Sequence, residues 1–225
     1  MHKPLQLDVA RAALVCIDLQ EEHRRDSRYL VEGFDVLLDN VGRLQRAARA
    51  TAVPVVHFAY IVEGDAMRSL HPLMEDGTSA FSNAGDPLTE LCPEIAPVAG
   101  ETALIKANAS TFSCPEFVPL LEGRGIEWLV VAGVWTEACV ASSVKDAVDR
   151  GLRVLLVKDA CGSGSAAMHE TAILNMANRL YGGAVVDTEQ ACRLLAGERV
   201  NAWQVEGSAP LRYTFENAAS LYRSL

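Results

Sequence analysis

Short apolar runs rich in β-branched residues recur along the chain, and longer stretches with apolar residues at helical spacing separate them. The runs predict strands at residues 13–19, 53–60, 102–106, 128–134, 153–157 and 184–186. The stretches between them predict helices at about residues 36–50, 116–122, 136–150, 166–180 and 189–196. Strands that alternate with helices and stay apolar throughout are typical of a parallel sheet covered on both faces. The pattern therefore predicts an α/β fold with a mostly parallel sheet.

Two segments interrupt this alternation. Residues 63–99 contain three glycines and four prolines without clean periodicity, and a loop of that length in a compact domain is usually functional. We expect a lid or a substrate-lining excursion there, or else a surface excursion with one short helix. Residues 200–225 are rich in aromatic side chains, so we expect a tail that docks on its own domain or on a neighbouring subunit. The chain thus divides into a domain at residues 1–199 and a C-terminal tail at residues 200–225.

Composition and charge narrow the range of partners. The 225 residues include 29 acidic and 20 basic side chains, which gives a formal net charge of −9. No basic run is interleaved with aromatic residues, so nucleic acid is not an expected partner. The longest apolar runs fall far short of the ~20 residues that span a bilayer, and the start of the chain lacks the apolar core of an export signal. We expect a cytoplasmic homo-oligomer, a dimer or a tetramer, that acts on a small molecule and binds neither membrane nor nucleic acid.

The six cysteines lie in separate apolar segments and form no C-x-x-C pair. This spacing argues against a disulfide framework, a zinc cluster and a redox pair, and most of the thiols are expected to be buried. Cys139 differs because Thr136, a good helix N-cap, places it in the first turn of a predicted helix. Unpaired backbone N–H groups and the helix dipole favour an anion there, so we expect its pKa to fall below the ~8.5 of free cysteine.

Cys139 has two candidate partners at strand ends. Asp18 and Lys106 lie at or just past the ends of two predicted strands, and the carboxyl ends of parallel strands gather at one edge of a sheet. Lys106 would stabilise a thiolate and a later oxyanion, and Asp18 would exchange a proton with the thiol. Taken singly, the three residues are explained as well by a turn cap, a solvated charge and core filling.

Five segments resemble those of a known family. Three stretches, ALVCIDLQ, IKANASTF and GVWTEACV, resemble signature blocks of the isochorismatase-like cysteine hydrolases; they lie at residues 13–20, 105–112 and 133–140. Two shorter segments, at residues 159–161 and 169–170, resemble further parts of that family. The resemblance extends from about residue 14 to residue 195. It implies a three-layer α/β/α fold with a six-stranded, mostly parallel sheet.

The resemblance implies a catalytic triad of Asp18, Lys106 and Cys139. It also implies a cis peptide between Val134 and Trp135, which turns the backbone N–H of Trp135 toward that of Cys139 to form an oxyanion hole. Family members that cleave isochorismate, an enol ether, lack the cysteine, whereas members that keep it attack amide-type carbonyls through a thioester. The presence of Cys139 therefore implies the amidohydrolase branch.

No metal or cofactor is expected. Nicotinamidases of the family bind a metal through an Asp-x-His pair and a later histidine. Here His57 has no aspartate two residues before it, and His71 lies alone in the irregular segment. His57 is therefore expected to be a packed or hydrogen-bonded strand residue. The resemblance places His23 where the family's substrate pocket often receives side chains, but the neighbouring Arg24 and Arg25 favour an exposed polar turn.

These features predict a cysteine-dependent hydrolase that cleaves a C–N bond of a small amide, ureido or carbamoyl compound through a thioester, with release of ammonia or an amine. One alternative is an ether- or ester-cleaving hydrolase in which Cys139 takes no part. Another is a non-catalytic or redox-responsive oligomeric scaffold on the same fold. Replacement of Cys139 and the pH dependence of its alkylation separate these possibilities.

Overall fold

Eight strands form one sheet in the computed structural model, which describes residues 1–63, 71–207 and 210–225. The strands are β1 (His2–Gln6), β2 (Ala12–Ile17), β3 (Val55–Tyr60), β4 (Thr102–Lys106), β5 (Trp128–Val134), β6 (Arg153–Gly162), β7 (Ala184–Val186) and β8 (Arg199–Trp203). Their order across the sheet is β1-β8-β7-β6-β5-β2-β3-β4. The strands from β7 to β4 run parallel, and β8 runs antiparallel to both β1 and β7. The predicted α/β fold is confirmed, with eight strands in a mixed sheet instead of six.

Helices cover both faces of the sheet. They are α1 (Glu22–Arg25), α2 (Phe34–Ala50), α3 (Phe117–Gly123), α4 (Ala141–Asp149), α5 (Ala166–Ala177), α6 (Thr188–Leu195) and α7 (Ala218–Arg223). Apolar residues of α2 and α6 share one buried cluster with one face of the sheet, and those of α3, α4, α5 and α7 share a second cluster with the other face. This arrangement has the three layers that the resemblance implies. No helix in the described residues is long and apolar enough to cross a membrane.

The two strands that the sequence pattern missed pair with each other at one side of the sheet. Residues of β1 alternate between exposed and half-buried positions, and those of β8 between exposed and buried ones at its start. Short strands of this kind lack the continuous apolar run that marks the central strands. β8 crosses the predicted boundary between domain and tail, so the first residues of the tail belong to the sheet. Docking of the tail on a neighbouring subunit stays a prediction.

Close contact between β2 and β5 depends on a glycine. Gly133 has a φ of 136° and pairs with Ile17 of the neighbouring strand. A Cβ at this position would overlap the backbone of Ile17, so any larger residue would push the two strands apart. Because Ile17 directly precedes Asp18, Gly133 sets where the end of β2 lies relative to β5.

Gly133→Ala is expected to lower the free energy of unfolding by roughly 2–4 kcal/mol, since the new methyl group overlaps backbone and the positive φ is unfavourable for alanine. Gly123→Ala is the matched control because Gly123 ends a helix and no heavy atom lies within 4 Å of a Cβ added there. Urea denaturation of both variants measures the difference. Equal stability of the two variants would contradict the close contact.

Candidate active site

Asp18 follows the last residue of β2, at the carboxyl end of the parallel strands. Its φ of 53° lies in the left-handed region, which aspartate adopts at lower cost than most residues. Its backbone N–H donates to the carbonyl of Phe58 in β3 at 2.9 Å. The residue is 3% exposed, so its carboxylate is withdrawn from bulk water.

Lys106 ends β4 and meets Asp18 across β3. Its Nζ donates to Asp18 Oδ2 at 2.7 Å and to the carbonyl oxygen of Asn108 at 3.1 Å. The ammonium lies over the ring of Tyr60, with Nζ 4.7 Å from the ring centroid. Asp18 Oδ1 is buried and receives no N–H or O–H hydrogen bond from the described residues. One carboxylate oxygen is therefore held by the lysine, and the other can accept a proton.

Cys139 lies in a π-helical turn, Thr136–Val140, which joins β5 to α4. The residue is half-buried, and its side chain interacts with both the Asp18 carboxylate and the Lys106 ammonium. The fold thus brings together three residues that lie far apart in the sequence and that follow three different strands. This is the arrangement expected for reactive groups at the carboxyl edge of a parallel sheet.

The start of the turn differs from the prediction. Trp135 occupies the N-cap position and makes no capping hydrogen bond through its side chain, whereas Thr136 is fully buried within the turn. The Thr136 hydroxyl donates to the carbonyl of Gly162 at 2.9 Å. The predicted N-cap role of Thr136 is wrong because its side chain packs into the protein.

The surroundings of the thiol oppose its ionisation. Burial raises the pKa of Cys139, the Asp18 carboxylate raises it further, and Lys106 offsets part of this effect. Burial also raises the pKa of Asp18 despite the neighbouring lysine. For Lys106 burial lowers the pKa, but attraction to Asp18 and Cys139 outweighs burial and the net shift is upward. The expected acidification of Cys139 is therefore wrong, because burial and the adjacent Asp18 disfavour the thiolate.

The peptide bond between Val134 and Trp135 is cis, at the position that the resemblance implies. The carbonyl oxygen of Trp135 accepts hydrogen bonds from the backbone N–H groups of Ala138 at 3.0 Å and Val140 at 3.2 Å. These bonds close the turn that carries Cys139.

A cavity of about 490 Å³ opens beside Cys139. Among the described residues it is lined by Asp18, Glu22, His23, Arg28, Tyr29, Tyr60, Phe81, Ser82, Ala109, Val134, Trp135, Ala138 and Cys139. The wall is mostly apolar and includes four aromatic rings of tyrosine, phenylalanine and tryptophan. This volume lies in the usual range of about 300–1,000 Å³ for small-molecule sites. Among the described lining residues, Arg28 is the cationic member.

Part of the irregular segment at residues 63–99 lines this cavity, as predicted. Phe81 and Ser82 contribute to its wall, and Ser82 ties the segment to the chain after β2 through Glu22. The hydroxyl and the backbone N–H of Ser82 donate to the Glu22 carboxylate at 2.6 and 3.1 Å. Residues 64–70 of the segment lie outside the described residues.

His23 lies in the cavity wall, contrary to the prediction of an exposed turn. It is 7% exposed, and its Nδ1 accepts a hydrogen bond from Trp135 Nε1 at 3.3 Å. Burial lowers the pKa of His23 to about 4, so its imidazole is neutral near pH 7. The prediction is wrong because α1 is a single turn with one buried and one exposed side, and Arg25 lies on the exposed side.

His57 is a packed, hydrogen-bonded strand residue, as predicted. It is fully buried in β3, and its Nε2 lies 3.0 Å from Oε2 of Glu101. Glu101 also pairs with Arg49 at 2.7 Å. His71 contacts a different group, with its Nε2 2.5 Å from the hydroxyl oxygen of Ser79. The two histidines therefore serve separate hydrogen-bond networks.

One group of potential metal ligands occurs in the part of the chain that the structure describes, and it lies outside the cavity. It consists of Glu21, Cys92 and Glu94. The guanidinium of Arg24 pairs with both carboxylates, and its Nη1 lies 2.7 Å from Glu94 Oε1. An arginine therefore already balances the charge of this group.

The Isochorismatase domain family matches residues 12–190, a span that contains Asp18, Lys106 and Cys139. The chain belongs to the isochorismatase family. A solved isochorismatase family protein from Desulfovibrio vulgaris subsp. vulgaris has a TM-score of 0.73 at 27% identity, over 83% of this chain and 98% of that protein.

Two curated relatives in this family are amidohydrolases. The maleamate amidohydrolase of Pseudomonas putida is 29% identical over 196 residues, which cover 83% of this chain and 89% of the relative. The ureidoacrylate amidohydrolase of Klebsiella pneumoniae subsp. pneumoniae is 26% identical over 209 residues, which cover 83% of this chain and 87% of the relative. The prediction of an isochorismatase-like hydrolase is confirmed.

Lys106→Met is expected to lower the free energy of unfolding at neutral pH by about 3–5 kcal/mol, because it leaves the Asp18 carboxylate buried without its partner. The pKa of Asp18 is already raised by burial, and removal of the lysine raises it further. A raised folded-state pKa favours folding while the acid is protonated, so the loss should be smaller near pH 5 and should grow as pH rises toward about 8. Urea denaturation at several pH values measures this slope.

The double variant Asp18→Asn/Lys106→Met is the control for this prediction. It removes both charges, so it should be more stable than Lys106→Met at neutral pH and should lose the added pH dependence. If the free energy of unfolding of Lys106→Met had the same pH dependence as that of the unmodified protein, Asp18 and Lys106 would not be electrostatically coupled.

Proposed function

We propose that this isochorismatase-family enzyme is a cysteine hydrolase that cleaves a C–N bond of a small amide, ureido or carbamoyl compound. Cys139 acts as the nucleophile, Asp18 as general base and acid, and Lys106 as the balancing positive charge. The observation that carries this proposal is a thiol held against a buried carboxylate–ammonium pair in the wall of a small-molecule cavity. The activities of the maleamate and ureidoacrylate amidohydrolases support C–N hydrolysis.

In the first step Asp18 takes the proton of Cys139 as the sulfur attacks the substrate carbonyl carbon. Because the surroundings raise the pKa of the thiol, the proton is transferred during the attack and no free thiolate accumulates beforehand. Oδ1 of Asp18 is the oxygen available for this proton, since Oδ2 accepts a hydrogen bond from Lys106. The ammonium keeps the total charge of the site low throughout.

The attack turns the carbonyl oxygen into an oxyanion. We assign its stabilisation to the backbone N–H groups of Trp135 and Cys139, which act as fixed dipoles. When the tetrahedral intermediate collapses, the C–N bond breaks and Asp18 returns its proton to the departing nitrogen. Ammonia or an amine leaves, and the acyl group remains on Cys139 as a thioester.

Water completes the cycle. Asp18, again a carboxylate, removes a proton from a water molecule that attacks the thioester carbonyl. The C–S bond breaks, the proton passes to the sulfur of Cys139, and the acid product leaves. The cycle consumes one water, restores all three side chains and uses no cofactor.

Arg28 supports a substrate that carries a carboxylate. Its Nε and Nη2 donate to Asp26 at 3.0 and 2.6 Å, and its Nη1 contacts Met74 Sδ at 3.9 Å. Nη1 therefore keeps N–H donors for a ligand in the cavity. Maleamate and ureidoacrylate are carboxylate anions, as their names state. In the proposed complex a substrate carboxylate pairs with Arg28 while the amide carbonyl lies at Cys139.

Besides Asp18 of the proposed triad, Glu22 is the acidic residue of the described lining that could oppose such a ligand. Burial raises its pKa, which favours the neutral acid over the anion. Both of its oxygens also accept hydrogen bonds from Ser82. Its oxygens are therefore engaged by the irregular segment, and in this proposal Arg28 is the group that selects an anion.

Cys139→Ala is expected to reduce release of ammonia or amine by roughly 10³-fold or more while the fold stays intact, because the proposed chemistry has no other nucleophile. The measurement is an ammonia-release screen over small amides, ureas and carbamoyl compounds, with Cys139→Ala as the blank. Cys192→Ala is the matched control, since Cys192 is also half-buried but does not line the cavity. It should keep full turnover.

The same experiment separates the alternatives. An ether- or ester-cleaving hydrolase that does not use Cys139 keeps its turnover in Cys139→Ala. A non-catalytic scaffold releases no product from any compound of the screen, with or without Cys139.

Arg28→Met is expected to raise KM for maleamate by roughly 10- to 100-fold, since a charge-assisted pair between guanidinium and carboxylate is lost. The uncharged diamide of maleic acid should be hydrolysed with nearly unchanged kcat/KM. Arg25→Met is the control, because Arg25 is exposed and does not line the cavity. An equal loss for both substrates in Arg28→Met would contradict a carboxylate-binding role.

A further inference from the structure

The C-terminal helix α7 packs on α5, and α5 in turn contacts the turn that carries Cys139. It lies outside the residues matched by the family domain, 12–190. Tyr222 of α7 packs edge-to-face on His169 of α5, with ring centroids 5.4 Å apart. The contact joins the end of the chain to a helix that borders the active-site turn.

A chain of hydrogen bonds continues inward from this contact. The Tyr222 hydroxyl lies 3.1 Å from His169 Nε2, and His169 Nδ1 lies 2.8 Å from the hydroxyl oxygen of Thr136. Thr136 in turn lies 2.9 Å from the carbonyl oxygen of Gly162 in β6. Three side chains are therefore linked from the C-terminal helix to the first residue of the turn, and a fourth group, the Gly162 carbonyl, continues the chain into β6.

Counting protons fixes the direction of these bonds. The Gly162 carbonyl can only accept, so the single hydroxyl proton of Thr136 is donated to it. Thr136 then accepts from Nδ1 of His169. Burial lowers the pKa of His169 to about 4, so the ring is neutral near pH 7 and its Nε2 accepts from the Tyr222 hydroxyl. The two hydroxyl groups thus favour the tautomer with the proton on Nδ1 of His169, and the backbone of Lys158 also interacts with the imidazole.

The Tyr222 end of the chain is itself held in place. Lys158 Nζ donates to the backbone carbonyl of Tyr222 at 3.3 Å and lies 5.1 Å from the centroid of its ring. Burial raises the pKa of Tyr222, so the phenol keeps the proton that it donates. Lys158 belongs to β6, so α7 contacts the sheet through Lys158 as well as α5 through His169.

Separate hydrogen bonds, through Ser143, hold the turn at Cys139. Ser143 donates through its hydroxyl to the carbonyl of Cys139 at 2.7 Å and accepts from the backbone N–H of Thr111 at 3.0 Å. Hydrogen bonds thus hold the turn at Cys139, through Ser143, and at its first residue, Thr136. Both sets of hydrogen bonds affect the position of the Cys139 sulfur, and small displacements of a reacting group lower the rate by large factors.

We propose that Tyr222 is a positioning residue for the active site: through His169 it fixes Thr136 and thereby the turn that places Cys139 against Asp18 and Lys106. The C-terminal helix is then a working part of the enzyme, supplied by the chain beyond the family domain. This inference rests on the proposed nucleophilic role of Cys139.

Tyr222→Phe tests the inference, because it removes one oxygen and keeps the ring that packs on His169. Turnover of the substrate found by the ammonia-release screen should fall by about 10-fold in kcat. KM should change little, since Tyr222 does not line the cavity. Tyr213→Phe is the matched control: Tyr213 belongs to the same segment, packs on the same apolar cluster and makes no hydrogen bond through its hydroxyl within the described residues.

A second variant tests the route of the effect. Thr136→Val removes the hydroxyl at the inner end of the chain, so Tyr222→Phe added to it should lower kcat by less than about 2-fold further. Multiplication of the two losses would show that Tyr222 acts by another route and would overturn the inference. So would unchanged kcat in Tyr222→Phe alone.

Alkylation of Cys139 by iodoacetamide provides a readout that needs no substrate. In Tyr222→Phe the sulfur is held less firmly against Asp18, so the alkylation midpoint should move to lower pH, toward that of an ordinary thiol. A shifted midpoint in a protein that hydrolyses no amide would support the positioning role and contradict the proposed function. An unshifted midpoint with intact amide hydrolysis would overturn the positioning role alone.

Discussion

The site depends on two opposite charges held together out of water. Asp18 and Lys106 approach within 2.7 Å across an intervening strand, and both are almost fully buried. Such a pair is tolerable when its geometry is good and each charge has its partner. The pairing register of β2, β3 and β4 must therefore be kept, and so must the close approach of β5 at Gly133. The strand pairing of the sheet thus determines whether the charged groups at its edge can meet.

The same burial determines how the thiol reacts. In water a cysteine becomes reactive by losing its proton before it attacks. Here burial and the adjacent Asp18 carboxylate oppose that loss. Asp18 instead offers an acceptor whose own pKa is raised by burial, so its carboxylate binds a proton more strongly than one in water does. Transfer within one cluster suits a reaction in which the proton moves to the nucleophile's partner and then to the leaving group.

The central strands and the three clustered residues could be predicted from the sequence, whereas the rest of the cavity could not. Continuous apolar runs mark buried parallel strands, and the carboxyl ends of such strands meet at one edge of the sheet. The positions of Asp18, Lys106 and Cys139 at or after strand ends therefore predict that they cluster. β1 and β8 alternate in burial and read like loops. Ser82 comes from a segment without periodicity, and its place in the cavity follows from a long-range contact with Glu22 that no local pattern reports. The N-cap expected at Thr136 failed for a similar reason, since tertiary hydrogen bonds took its side chain.

The position of Lys106 on β4 has an energetic consequence. β4 is the outermost strand on its side of the sheet and pairs with β3 alone among the described strands. Edge strands open locally more readily than central ones, and opening of β4 would withdraw the ammonium from the Asp18 carboxylate. The ion pair therefore adds to the free energy of that opening, so resistance of the β4 amides to hydrogen exchange reports on the same electrostatic balance that governs the thiol. The ammonium of Lys106, which the site requires, thus also stabilises β4, a strand with backbone pairing on one side only.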